Sequence, residues 1–112
     1  MNIVEGTVSQ RYFEKKAEIL KAISHPTRLK ILELLKERER CVCEIYPALK
    51  QEQPNISRHL NLMKRAGILD SRKEGLHIIY WIKAPEILEI LRHTEVIIQH
   101  EIEADLRVFK GA

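Results

Sequence analysis

The stretch that decides the fold runs Pro54-Asn55-Ile56-Ser57-Arg58-His59-Leu60-Asn61-Leu62-Met63-Lys64-Arg65-Ala66-Gly67-Ile68-Leu69. It opens on a proline, which suits the first turn of a helix, and meets a glycine, the usual residue just past a helix end. Ile56, Leu60 and Met63 fall at helical spacing and form one apolar side. Asn55, Arg58, Asn61 and Arg65 occupy the opposite side. Amide and guanidinium groups of this kind contact phosphates and base edges alike. Leu62 lies nearer the polar side and is expected to pack under a hairpin or under the preceding helix.

Working outward, a hairpin signal follows at once. Leu69 to Lys73 is expected as one strand, Glu74-Gly75 as the turn, and His77 to Lys83 as the second strand. Upstream, Val42 to Leu49 forms a helix burying Ile45 and Leu49, with Lys50 to Gln53 as the turn into the polar-faced helix. Pro47 sits inside that upstream helix, where it removes one backbone bond and clashes with the Cys43 carbonyl. A short, late-starting or kinked helix is expected. Helix, tight turn, polar-faced helix and basic hairpin together define a winged helix-turn-helix, and DNA is the partner it implies.

The flanking segments complete the fold class. A first helix spans about Gln10 to Ala22, with Tyr12, Phe13, Ala17, Leu20 and Ile23 as its stripe. Ser24 or His25 caps a second helix over Pro26 to Lys36, which turns Leu29, Leu32 and Leu35 inward. Glu37 to Arg40 is a charged, solvated connection. After Ala84-Pro85 a last helix runs to about Phe109, carrying Ile87, Ile90, Leu91, Ile98, Ile102, Leu106 and Phe109. A helix of about 25 residues spans roughly 37 Å, too long for a domain this small to cover. The chain is therefore expected to be mainly α with a small β-hairpin wing, in the order α-α-α-α-β-β-α, forming one domain over residues 1–112. Segments 1–22 and 85–109 would build a two-fold homodimer, 42–67 the helix-turn-helix and 69–83 the wing.

Composition is compatible with this reading. The 112 residues are 45% hydrophobic and 31% charged, with a net charge of +3, a globular rather than disordered balance. Between Arg58 and Lys73 there are five basic residues against one acid, Asp70. No apolar run approaches the roughly 18 residues that cross a bilayer, and Met1 to Glu5 lack the features of a signal peptide. A cytoplasmic protein without membrane contact is expected. There is no phosphate-binding glycine loop, no Cys-x-x-Cys and no assembled Ser–His–Asp set, so catalysis is not expected.

The candidate DNA contacts are Gln53, Asn55, Ser57, Arg58 and His59 near the start of the polar-faced helix, where free N–H groups and the helix dipole favour phosphate. Arg65 lies further along it. On the wing, Arg72, Lys73 and His77 would follow the backbone, giving affinity and register rather than base choice. The alternatives are a solvated helix face and an edge hairpin protected by charge. The two cysteines, Cys41 and Cys43, are one residue apart. That spacing cannot staple distant parts of a fold, so a disulfide framework is excluded.

Ala22-Ile23-Ser24-His25-Pro26-Thr27-Arg28-Leu29-Lys30-Ile31-Leu32, Cys41-Val42-Cys43-Glu44-Ile45, Ser57-Arg58-His59-Leu60, Ala66-Gly67-Ile68-Leu69 and Arg72-Lys73-Glu74-Gly75 before Tyr80 resemble the ArsR/SmtB family. The resemblance covers more than half the chain, in the family's order. It implies a homodimeric repressor that leaves its pseudo-palindromic operator when an inducer binds. It also places Cys41 and Cys43 as thiolate ligands, with no cofactor required and arsenite, antimonite, Cd(II) or Zn(II) as inducer. Arsenite sites of this type take a third cysteine, in the slot held here by Tyr46. Other members borrow cysteines from the N-terminal arm, and residues 1–40 have none. A third ligand would be a non-cysteine residue, an external thiol or water. Thiol redox or reactive-sulfur switching, inert thiols, and a winged helix used for protein contact without DNA are the alternatives. The family's second site, on the last helix, would draw on His93, His100, Glu101, Glu103 and Asp105. Only His100 and Glu103 match its second half, and Glu89 stands in the histidine slot of the first.

Overall fold

A computed structural model describes residues 6–111; Met1 to Glu5 lie outside the described residues. The elements are α1 (Gly6–Ile23), α2 (Pro26–Glu37), β1 (Arg40–Cys41), α3 (Val42–Ala48), α4 (Gln53–Arg65), β2 (Leu69–Glu74), β3 (His77–Ile82) and α5 (Ile87–Gly111). The expected helices and hairpin are present, and the hairpin turn falls one residue later than expected. One element was not expected. The two-residue strand β1 pairs antiparallel with β3, making a three-stranded sheet in the order β1-β3-β2. Two residues carry no periodicity to detect. The expectation of a solvated connection over 37–40 is corrected at Arg40. Its side chain is mostly buried, with Nε donating to the Leu34 carbonyl at 3.0 Å and Nη2 reaching Glu37 at 2.8 Å.

The core lies where α2, α3, α4 and the sheet meet. Ile31, Leu32, Ile45, Ile56, Leu60, Met63, Ile68 and Leu69 are fully buried within it. The apolar side expected for α4 thus faces the core. In α2 the inward set is Ile31, Leu32 and Leu35, whereas Leu29 is exposed. Leu62 also departs from expectation. It lines an open groove with Glu18, Ala22, Ser24 and Arg28, beside α1 and α2 rather than under the hairpin.

Local chemistry sets the boundaries. His25 caps α2, its Nδ1 accepting the Thr27 amide at 3.0 Å. Helix α4 stops in a Schellman arrangement: Gly67, at φ +82°, donates to Lys64, and Ile68 donates to Met63, both at 3.0 Å. The same bonding ends α3. Lys50 donates to Pro47 at 3.0 Å and Gln51 to Tyr46 at 3.1 Å, with Lys50 held at φ +56°. Glycine adopts that conformation more readily than lysine. Helix α3 is only seven residues long, in keeping with the expected effect of Pro47.

Helix α5 behaves differently along its length. Ile87 is buried and Ile90 and Leu91 pack against the core, while Ile98, Ile102, Leu106 and Phe109 are exposed. In α1, Phe13 and Leu20 are likewise exposed, but Ile23 is buried in the chain's own core. No helix of the described residues is long and apolar enough to cross a membrane.

Candidate nucleic-acid interface and adjoining thiol pair

The polar face of α4 is organised by a chain of side-chain hydrogen bonds. Buried Thr27, at the start of α2, accepts from Gln51 at 2.9 Å. Gln51 in turn accepts from Asn55 Nδ2, and Asn55 Oδ1 accepts from Arg58 Nη2 at 2.8 Å. Arg58 is therefore aimed by a neutral amide rather than by a carboxylate. Gln51 escaped notice in the sequence because it falls in the turn. Its position follows from the left-handed Lys50 immediately before it.

Gln53 is exposed on the first turn of α4, and Ser57 is half-buried one turn later. His59 is also half-buried, its ring 4.5 Å from that of His25. Burial, then the nearby His25, Arg28 and Arg58, lower its pKa from the ordinary histidine value. Arg65 is not brought together with these residues. It lies at the other end of α4, on the groove shared with Glu18, Lys21 and Arg28.

The wing residues diverge. Arg72 is engaged by acids: its guanidinium reaches Glu39 at 2.6 and 2.9 Å and Glu74 at 3.1 Å, and lies 5.5 Å from the Trp81 ring centroid. These carboxylates push the Arg72 pKa up, and the Arg72 hydrogen bonds hold Glu39 below the usual carboxylate range. Lys73 is exposed and makes no ion pair among the described residues. His77 is exposed at the start of β3.

Cys41 and Cys43 flank the start of α3. Cys41 is the N-cap: its Sγ accepts the Cys43 amide at 3.0 Å, and its own amide donates to Glu44 Oε1 at 3.2 Å. Hydrogen bonding first from Arg38 and then from the Cys41 amide lowers the Glu44 pKa. The two sulfurs are bonded to each other. This is a local link, compatible with the exclusion of a long-range staple, but it differs from the free thiolates that ligation needs. Strand β1 sets Cys41 opposite Ile79. Residues two apart on a strand share a face, so His77 is the diagonal neighbour of Cys41, with Nδ1 at 3.6 Å from its Sγ. Cys41, Cys43 and His77 form the one group of three or more potential metal donors among the described residues. The histidines and acids of α5 do not converge in this way.

A three-stranded wing, a short supporting helix and a polar-faced helix with an exposed N-terminal turn define a winged helix-turn-helix DNA-binding domain. The model for bacterial regulatory proteins of the arsR family matches residues 25–71. A helix-turn-helix-type transcriptional regulator of Methanocaldococcus jannaschii is 51% identical over 81 residues, which is 71% of this chain and 91% of that protein. This chain belongs to the arsR family of transcriptional regulators. It is also similar to the arsenical resistance operon repressor of Escherichia coli, at 45% identity over 64 residues, or 56% of this chain and 55% of that one. Among solved structures, the homodimeric winged helix-turn-helix DNA-binding domain of a possible ArsR-family regulator from Mycobacterium bovis matches with a TM-score of 0.78 and 25% identity, covering 90% of this chain and 94% of that one.

Proposed function

We propose that the chain acts as a homodimeric repressor that reads a pseudo-palindromic operator through α4 and is released when a soft metal or metalloid binds at Cys41 and Cys43. The observation that carries the DNA side is the N-terminal face of α4. There Arg58 is aimed by Asn55 and free of acids, beside exposed Gln53. Gln53, Asn55, Ser57 and Arg58 would enter the major groove, with His59 at its margin. Lys73, Arg65 and His77 would act through phosphate, and Arg72 only on leaving its carboxylates.

Homodimerisation is supported by the exposed apolar residues of α5 and α1, and by the homodimeric state of the M. bovis relative. A two-fold dimer would set two α4 helices about one DNA turn, roughly 34–36 Å, apart. Inducer action is supported by the position of the thiol pair, which begins the helix against which α4 is built. A ligand there would favour an arrangement of α4 with lower operator affinity. A second reading, thiol–disulfide switching without metal, is favoured by the bonded state of the two sulfurs.

Selection of duplexes from a random pool by the reduced protein tests the DNA side. Enrichment of paired inverted half-sites is expected, and an unenriched pool overturns it. Operator binding with arsenite, antimonite, Cd(II) or Zn(II), in wild type and in the Cys41→Ser/Cys43→Ser double variant, tests the inducer. Release that persists in the double variant removes the cysteines. Release by oxidant alone favours the second reading.

A further inference from the structure

We propose that His77 is the third protein ligand of a divalent soft-cation site whose other two ligands are the Cys41 and Cys43 thiolates. This rests on the reading of the thiol pair as an inducer site, and it adds a ligand, a class of ion and a redox condition.

The geometry carries the assignment. Zinc bonds thiolate at about 2.3 Å and imidazole at about 2.0–2.1 Å, so tetrahedral angles set sulfur and nitrogen ligands about 3.6 Å apart. Sγ of Cys41 and Nδ1 of His77 are separated by 3.6 Å, the ligand spacing itself. All three donor atoms lie within 4.8 Å of one another with the two sulfurs still bonded, and reduction has to part the sulfurs before both can bind. The donors open onto a pocket of about 180 Å3, which Tyr46, Gln53 and Ser57 also line. Two thiolates and one imidazole suit Zn(II) and Cd(II). Water would take the fourth position, since no further histidine, cysteine or carboxylate joins the group among the described residues. The fold supplies the third donor through β1, which lays the cysteine segment against the wing strand.

The consequence is mechanical as well as chemical. An ion here ties the wing to the start of α3, and it stands in the same pocket as Gln53 and Ser57 of α4. A His77 ring bonded to the ion through Nδ1 is fixed in orientation and keeps only Nε2–H to offer a phosphate. Loading also requires reduction. A phosphine gives two electrons to the sulfur–sulfur bond and becomes its oxide with oxygen from water, whose two protons complete the thiols. The cation then displaces both thiol protons, forming two metal–sulfur bonds, while the imidazole lone pair forms the third.

The test is Cd(II) titration of the full chain, reduced with phosphine, in wild type and His77→Ala, followed by sulfur-to-metal absorption and by the ring 15N shifts of His77. Replacing even an outer-shell partner costs about 10–100-fold in metal affinity, so His77→Ala should lose at least about tenfold. The His77 ring nitrogen should shift in wild type, and the disulfide form should take up no Cd(II). Equal affinity in His77→Ala with an unshifted ring, or no uptake by reduced wild type, overturns the proposal. DNA release is measured separately. Release by Cd(II) that is equal in both proteins, with equal Cd(II) affinity, keeps the inducer reading and removes His77. A ligated His77 with unchanged DNA affinity keeps the site and removes the inducer reading.

Discussion

Helix α4 and the β2–β3 hairpin both carry basic residues, three on the helix and two on the hairpin, yet the fold treats the two differently. On α4, Arg58 meets only a neutral amide, itself anchored through Gln51 to Thr27. On the wing, Arg72 meets two carboxylates and an indole. A phosphate approaching Arg58 gains a charge contact without displacing an acid. A phosphate approaching Arg72 competes with Glu39 and Glu74 and brings its own charge near theirs. Basic residues counted along a sequence therefore overstate what the wing has to offer. Under the proposed function, base reading would fall to the helix, with Lys73 and His77 as the wing's available contacts.

The comparison breaks most severely if the platform beneath α4 is removed. Leu60→Ala deletes a fully buried side chain from the face that seats the helix. A loss of about 2–5 kcal/mol is expected, read as a lower denaturant midpoint with loss of duplex binding. A variant that keeps its midpoint would mean that the core does not hold α4 in place. Next comes Arg58→Ala, expected to cost roughly 1–3 kcal/mol in discrimination between a selected and a scrambled duplex. Arg72→Ala should change both duplexes little. Fluorescence anisotropy on the two DNAs checks this pair, and equal losses from the two variants would erase the distinction between helix and wing. Glu39→Gln sharpens it in the opposite direction. With its strongest carboxylate neutralised, Arg72 becomes available for one phosphate, and the slope of log affinity against log salt should steepen by about 0.9. An unchanged slope would place Arg72 away from DNA altogether.

Much of this was legible in the residues, for identifiable reasons. Ile56, Leu60 and Met63 announce the buried side of α4 by spacing, Gly67 announces its end, and the alternation around Gly75 announces the hairpin. What stayed hidden depends on partners distant in sequence. Strand β1 is too short to show a pattern, so neither the burial of Arg40 nor the approach of Cys41 to His77 could be read from spacing. Glu39 and Arg72 are 33 residues apart, and nothing local links them. Leu29 looked inward by helical spacing but lines an open groove with Leu91 and Ile98 of α5, and Leu62, already nearer the polar side, lines the groove beside α1 and α2. Gln51 looked like turn filler because the left-handed Lys50 that orients it is a conformation glycine usually announces.

The smallest expected effect concerns the histidine on each element. His77 on the wing is exposed, whereas His59 on α4 is half-buried against His25, near Arg28 and Arg58. Burial and these neighbours disfavour its cation and lower its pKa. The unfolded chain then binds a proton at an ordinary histidine value, about 6.5, while the folded chain resists until lower pH. Folding stability is therefore fully present above about pH 6.5 and declines as pH falls from there through the lowered folded value. His59→Gln cannot titrate, so its stability should change less over that window. Chemical denaturation of both proteins at several pH values from neutral downward measures the difference. Parallel curves would mean that His59 takes up its proton as readily in the fold as out of it. In that case α4 would gain a positive charge at His59 beside Arg58, and its advantage over the wing would grow as the solution is acidified.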